Sequence, residues 1–271
     1  MIFSLPLFQL TALVLAISLA LGLGLSVGIR KLFRLNPTAQ QSDLAIDLMQ
    51  VASSYIGILL AFAGVLAWQN YATAQTAVEQ EAGAASQLYR GLTVYGPEMD
   101  VSRDNLRAYI GSIVSDEWAM MRESKRSALT EARMITLFDH VAAAQPSSER
   151  ESALFGEALS HLNNLVQLRR DRLSASQAEL PAVLWVVAII GSIFTIAYAS
   201  AFVSSRYATL MMSGVSLTIG LMFLFLLSVA HPFRGSGGLS PQPLTDLSAI
   251  MDSVDRIHRA EIVSARARPP A

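Results

Sequence analysis

Four stretches of this chain contain no Asp, Glu, Lys or Arg: residues 1–29, 48–78, 180–205 and 207–233. Each exceeds the ~20 residues that an α-helix needs to cross a hydrocarbon core about 30 Å thick. Only 15% of the 271 residues are charged and 52% are apolar, against about 25% charged in soluble domains. The pattern excludes a soluble globular protein, a disordered chain and a fibrous protein. A net charge of −1 supplies no field for steering nucleic acid. The absence of cysteine excludes disulfides, thiolate metal sites and a Cys nucleophile.

The first run, about 5–29, is too long for the apolar part of a signal peptide, and no Lys or Arg precedes Arg30. It reads as a retained membrane helix, followed by Arg30, Lys31, Arg34 and the breaker Asn36-Pro37. The second has its apolar heart at 55–68. Trp68, Asn70 and Tyr71 then form an interfacial belt. Good helix formers follow, so one helix of about 45 residues leaves the bilayer as a stalk to Arg90, ended by Gly91 and Gly96-Pro97. Residues 98–180 keep a helical period. An amphipathic helix carries Leu106, Ile110, Ile113, Trp118 and Met121. A second, over 127–143, has an apolar face of Leu129, Met134, Leu137, Phe138 and Val141. A third starts at Glu149, capped by Ser147 or Ser148, and runs toward Pro181. Spans three and four, 182–203 and 207–230, are joined through Ser204-Ser205-Arg206, with Trp185 as a further interfacial anchor. A Pro/Gly loop from His231 to Pro243 precedes a last helix over 244–263, with Leu247, Ile250, Met251, Val254 and Ile257 on one face. No segment shows sustained alternation, so no sheet is expected.

The expected fold is therefore all-α. It is an integral membrane protein with four transmembrane helices, long stalk helices and a helical extramembrane insert. The parts are 1–68, the first membrane hairpin; 69–180, the stalk and extramembrane domain; 181–230, the second hairpin; and 231–271, the C-terminal loop and helix. Its first partner is the lipid bilayer, and its place is the cell membrane as a multi-pass protein. Basic residues are equal on the two sides, but Arg30, Lys31, Arg34 and Arg206 sit in short loops, where the positive-inside rule is most reliable. That favours an insert outside the cytoplasm.

Two constellations follow from helical geometry. Glu81 lies 13 residues beyond Trp68, while Arg169 and Arg172 lie 13 and 10 residues before Ala182. At 1.5 Å per residue, antiparallel stalks bring them level at ~15–20 Å from the membrane. A structural ion pair of Glu81 with Arg169 or Arg172 is expected, against the alternative that all three face solvent. The other is a small-residue stripe on span two: Ser53, Gly57, Ala61 and Gly64. It serves either close helix packing, like Gly24 and Gly28 in span one, or the lining of an oligomeric pore.

Signals for an enzyme are missing, and no catalytic, cofactor or metal site is expected. The four histidines make no close ligand spacing, and no Walker-type phosphate loop or GxSxG occurs. His231 beside Arg234 reads as a loop anchor. No span has a charge at its centre, which disfavours a proton-coupled transporter or a voltage sensor.

Three blocks resemble a bacterial family of uncharacterised membrane proteins described as bestrophin-like. They are Trp68-Gln69-Asn70-Tyr71 through Glu81 to Leu88-Tyr89-Arg90; Arg169-Arg170-Asp171-Arg172-Leu173 through Leu180-Pro181 to Trp185; and Pro232-Phe233-Arg234-Gly235 with Ser240-Pro241. The resemblance spans most of 45–255 and implies four membrane helices with a helical insert. The bestrophin name further implies a homo-oligomeric, anion-conducting pore lined by the second span, with the insert in the cytoplasm, opposite to the charge count. No bestrophin neck or selectivity motif is matched, so the resemblance assigns no pore residue. Two functions stand side by side: an oligomeric anion channel, and a non-conducting scaffold or sensory module whose helical domain binds a partner.

Overall fold

The structure is a computed structural model describing residues 6–33, 38–201, 206–235 and 237–266. Its helices are α1 (Leu7–Phe33), α2 (Ala39–Tyr95), α3 (Asp100–Ser112), α4 (Trp118–Met121), α5 (Ala128–Ala142), α6 (Glu149–Gln177), α7 (Ala182–Ala201), α8 (Arg206–Val229) and α9 (Gln242–Arg266). A 3₁₀ turn, Pro97–Met99, precedes α3, and a π-turn, Ile113–Glu117, joins α3 to α4. No strand occurs among the described residues. Four helical stretches are long and apolar enough to cross a membrane, within α1, α2, α6–α7 and α8. The chain is an all-α, multi-pass membrane protein.

The chain divides into two units: Met1–Tyr71 with Glu179–Gly238, and Ala72–Ala178 with Leu239–Ala271. In the first, the membrane unit, α1 packs chiefly on α8 and α7. A second core joins Leu60, Ala63 and Ala67 of α2 to Ala188, Leu226 and Val229. Large apolar side chains face outward, including Tyr55, Phe62, Val183 and Phe194. Lipid is as apolar as those side chains, so their exposure is not costly there.

Glycine sets how closely these helices approach, though not at the positions expected. A Cβ on Gly22 would lie 2.1 Å from Ser216 Oγ, and one on Gly220 2.5 Å from Ser18 Oγ. Gly24 and Gly28 would meet nothing within 4 Å. The close-packing role expected of that pair in span one falls instead to Gly22, two residues before Gly24 and so on the opposite face of the helix. Asn36-Pro37 and most of the α7–α8 connection lie outside the described residues.

In the extramembrane unit the second part of α2 is alanine-rich on its inner face, with Ala74, Ala77, Ala84 and Ala85 buried. The helix does not end at Gly91. It runs on to Tyr95, because Leu88 and Leu92 are fully buried on either side of that residue. Such burial outweighs the ~1 kcal/mol that an interior glycine costs. The stop is Gly96, at φ 133°, followed by Pro97. Ser127 caps α5 by accepting from Thr130 N at 3.0 Å. Ser148 caps α6 by accepting from Glu151 N at 3.2 Å, and Glu151 accepts from Ser147 N at 2.7 Å. The α6 helix ends at Gln177, and Pro181 starts α7, its carbonyl accepting from Leu184 N at 2.9 Å.

Two apolar faces are narrower than their sequence pattern. On α5, Met134, Leu137 and Val141 are buried while Leu129 and Phe138 are exposed. On α9, Leu244, Leu247 and Met251 are buried while Ile250 and Ile257 are exposed. Each helix docks along one seam, and residues about 100° off it remain outside.

Candidate functional site

The extramembrane unit is built around a charged centre. Glu81 of α2, Tyr109 of α3, Glu117 of the π-turn and Arg172 of α6 are each wholly or almost wholly removed from solvent, and Arg169 is 5% exposed. Arg172 bonds Glu81 through Nε and Nη2, the latter at 3.3 Å, and donates through Nη2 to Glu117 Oε2 at 2.6 Å. Its Nη1 faces Met121 Sδ. Arg169 donates to Glu117 Oε1 at 2.7 Å and to the exposed Glu131. Tyr109 Oη donates to Glu81 Oε1 at 2.6 Å. Two buried carboxylates thus face two buried guanidinium groups, and Glu117 gives one oxygen to each arginine.

Burial opposes the charge on Arg172, but the attraction of Glu81 more than offsets it and its pKa is raised. Arg169 is raised likewise, burial being outweighed by hydrogen bonds to Glu117 and Glu131. Burial, then the charge of Glu81, pushes the Tyr109 phenol well above its ordinary value, so it remains a donor. The centre is a neutral, multiply bonded strut suited to fixing α2, α3 and α6 in one register.

The structure thus joins Glu81 to Arg172 and directs Arg169 to Glu117 and Glu131. Sequence reasoning missed Glu117 and Tyr109. Glu117 stands four residues after Ile113 and four before Met121, in the middle of the apolar face. A carboxylate on a buried stripe signals a buried cationic partner. The π-turn lets Glu117 and Trp118, sequence neighbours, both be buried; such turns often mark functional positions.

A second charged cluster in the same unit holds α9. Asp255 accepts from Tyr89 Oη at 2.8 Å, Arg103 at 3.1 Å and Arg107 at 2.9 Å. Arg107 also reaches Asp252 at 2.8 Å. Its guanidinium carbon lies 5.0 Å from the Tyr89 ring centroid, a cation–π contact. Burial works against the Asp255 carboxylate, but hydrogen bonds from Tyr89 and Arg107 outweigh it and hold its pKa below the ordinary value.

In the membrane unit Trp68 stacks on Tyr71 with centroids 6.0 Å apart, and Trp185 on Phe223 at 6.5 Å. Trp68 is exposed and Asn70 half-buried. Pro232 and Phe233 are buried, and Gly235 adopts φ 80°. Tyr71 Oη lies 3.5 Å from the Gly237 carbonyl, so the first sequence block meets the loop that carries the third. Burial and Arg234 hold the His231 imidazole below its ordinary value. The small-residue stripe divides. A Cβ on Gly64 would lie 3.3 Å from Phe225. Ser53 and Gly57 line a cavity of about 780 Å³ beside α7 and α8, and Ala61 is exposed. No cluster of metal-ligating side chains occurs among the described residues.

No curated protein sequence matches the chain. A solved structure described as a membrane protein is similar to it at TM-score 0.66 and 11% identity, covering 92% of this chain and 98% of that one. Two single-residue variants of a bacterial bestrophin homologue from Klebsiella pneumoniae are similar at TM-scores of 0.64 and 0.65, with 12% and 11% identity. They cover 92% and 91% of this chain, and 97% and 98% of theirs. At such identity the likeness is one of fold. The model of the bestrophin-like domain matches residues 16–244, most of both units, and on that match the chain belongs to the bestrophin-like family.

Proposed function

We propose that the chain forms a homo-oligomer in the cell membrane and conducts anions along an axis bordered by its second span. Membership of the bestrophin-like family is the observation that carries this reading. The surface of α2 is compatible with it. Gly57 opens onto the cavity that α2 shares with α7 and α8, and Ala61 is uncovered by the chain's own helices. Ser53, Gly57 and Ala61 are the pore-lining candidates, and Gly64 serves packing against Phe225. The buried ionic centre then acts as scaffolding that fixes the stalks.

The test is reconstitution of the full-length chain into liposomes with chloride-flux measurement, alongside native mass spectrometry. The expected result is one oligomeric species and flux well above empty liposomes. Ala61→Trp should lower that flux with the oligomer retained. A strict monomer in inert liposomes overturns the proposal and leaves the partner-binding scaffold.

A further inference from the structure

A pocket of about 270 Å³ lies between α1, α7 and α8 inside the membrane unit. Ile17, Ile193 and Phe223 are among its walls. Ile17 and Ile193 are about half exposed, so the pocket is open on one side. Hydrocarbon side chains make almost all of its lining, and no charged residue contributes.

Two serines, Ser18 and Ser192, interrupt that lining; Ser18 is half-buried, and Ser192 is the deeper. It is 4% exposed, and its hydroxyl has no hydrogen-bond partner. Four other hydroxyls of α7 and α8 behave otherwise. Thr195 donates to Gly191 O at 3.0 Å, Ser213 to Thr209 O at 2.8 Å, Thr218 to Gly214 O at 3.0 Å and Ser228 to Leu224 O at 2.8 Å. That backward bond is the ordinary refuge of a hydroxyl in a membrane helix. Leaving a buried hydroxyl unpaired is costly in an apolar setting.

We propose that this pocket binds an uncharged amphiphile of medium chain length, an alkanol or ketone of about eight carbons, whose oxygen hydrogen-bonds the Ser192 hydroxyl. A volume of about 270 Å³, several times the ~30 Å³ share of one liquid water, suits a chain of medium length. The missing charge excludes a fatty-acid carboxylate or a phosphate at this depth. The hydrocarbon lining holds the chain, and the unpaired Ser192 hydroxyl selects an oxygen function over a plain alkane. The inference is independent of whether the protein conducts.

The experiment is photolabelling of the full-length chain in phospholipid nanodiscs with a diazirine-bearing octanol, with adducts located by mass spectrometry. Saturable adducts are expected on Ile193 and Phe223, competed by octanol and about fivefold less well by octane. Ser192→Ala should weaken octanol competition about fivefold, the worth of one hydrogen bond, and leave octane competition unchanged. Ser192→Thr should restore the preference. Because Ser192→Ala removes only an unpaired hydroxyl, it should fold, and an unchanged melting profile checks this. Labelling that does not saturate and spreads over lipid-facing residues such as Val183 and Phe194 overturns the proposal. So does labelling that appears in detergent but vanishes in nanodiscs, which would assign the pocket to a phospholipid chain.

Discussion

The two units solve the same packing problem with opposite chemistry. In the membrane unit, contact comes from small residues, with Gly22 against Ser216 and Gly220 against Ser18, and two buried hydroxyls, Ser192 and Ser216, have no partner. In the extramembrane unit the centre is two carboxylates and two guanidinium groups with a phenol as donor. Hydrocarbon surroundings give apolar side chains no reason to leave lipid for each other, so steric fit must hold helices together there. Water does provide that drive, so the extramembrane core gains its stability from burial and uses its charges to fix register. The same helix, α2, takes part in both chemistries, Ala63 and Ala67 in one and Glu81 in the other.

The largest expected effect breaks the charged centre. Arg172→Met leaves Glu81 and Glu117 buried with one bridging cation gone. Loss of one partner of a buried ion network costs about 3–5 kcal/mol. The extramembrane unit should melt well below the wild-type chain, measured in detergent by the fluorescence of Trp118 in a background with Trp68 and Trp185 replaced by Phe. Arg172→Lys should recover only part of that, because a single ammonium does not reproduce the planar fork that spans two carboxylates. Equal Tm for Arg172→Met and wild type would show that the centre carries no stability.

The membrane counterpart is a pair of variants on one helix. Gly22→Leu drives a side chain into Ser216 and should destabilise by about 1–3 kcal/mol. Gly24→Leu points into open space and should stay within ~0.5 kcal/mol of wild type. Resistance to denaturing detergent reads both. Equal losses would mean that α1 packs through a face other than the one turned to α8.

Much of this contrast was legible in the sequence, and the reason is the length scale of the signal. Runs of more than twenty uncharged residues announce their solvent, and equal rise along two helices places Glu81 level with Arg172. What escaped depends on local departures from the ideal helix. Spacing alone suggested that Gly24 and Gly28 were the packing pair, whereas the rotation of α1 turns Gly22 inward. The apolar stripes of α5 and α9 look continuous in sequence, but each helix meets its neighbours along a narrower seam, leaving Phe138 and Ile257 outside. Glu117 was hidden because a carboxylate in an apolar stripe is readable only by asking which cation it meets, and the π-turn that brings Trp118 inside with it has no signature in composition.

A smaller effect probes the acid side of the contrast. The carboxylate of Asp255 is held below its ordinary pKa. Its contribution is therefore complete above the unfolded value of about 3.9 and is lost as pH falls through the lowered folded value. Asp255→Asn should cost about 1 kcal/mol at pH 7. Its Tm should also fall less steeply than that of the wild type as pH is taken from 5 to below the usual aspartate range. Parallel profiles would mean that other carboxylates carry the acid sensitivity of the α9 contact.

The smallest effect is the most telling about the membrane unit. Ser216 is 1% exposed and its hydroxyl is unpaired, so Ser216→Ala removes an oxygen that gains nothing from the fold. Replacing a buried polar group that makes no bond with an apolar one is near neutral or stabilising. The contact with Gly22 is kept in part by the remaining Cβ, which would lie 2.9 Å from a Cβ on that glycine. The variant should match or slightly exceed wild-type detergent resistance, within ~0.5 kcal/mol. In a Gly22→Leu background it should recover part of the loss, because the nearest clashing atom is gone. Ser216→Ala that destabilises by itself would reveal a hydrogen bond across α1 and α8, and the membrane unit would then share the polar logic of the extramembrane one.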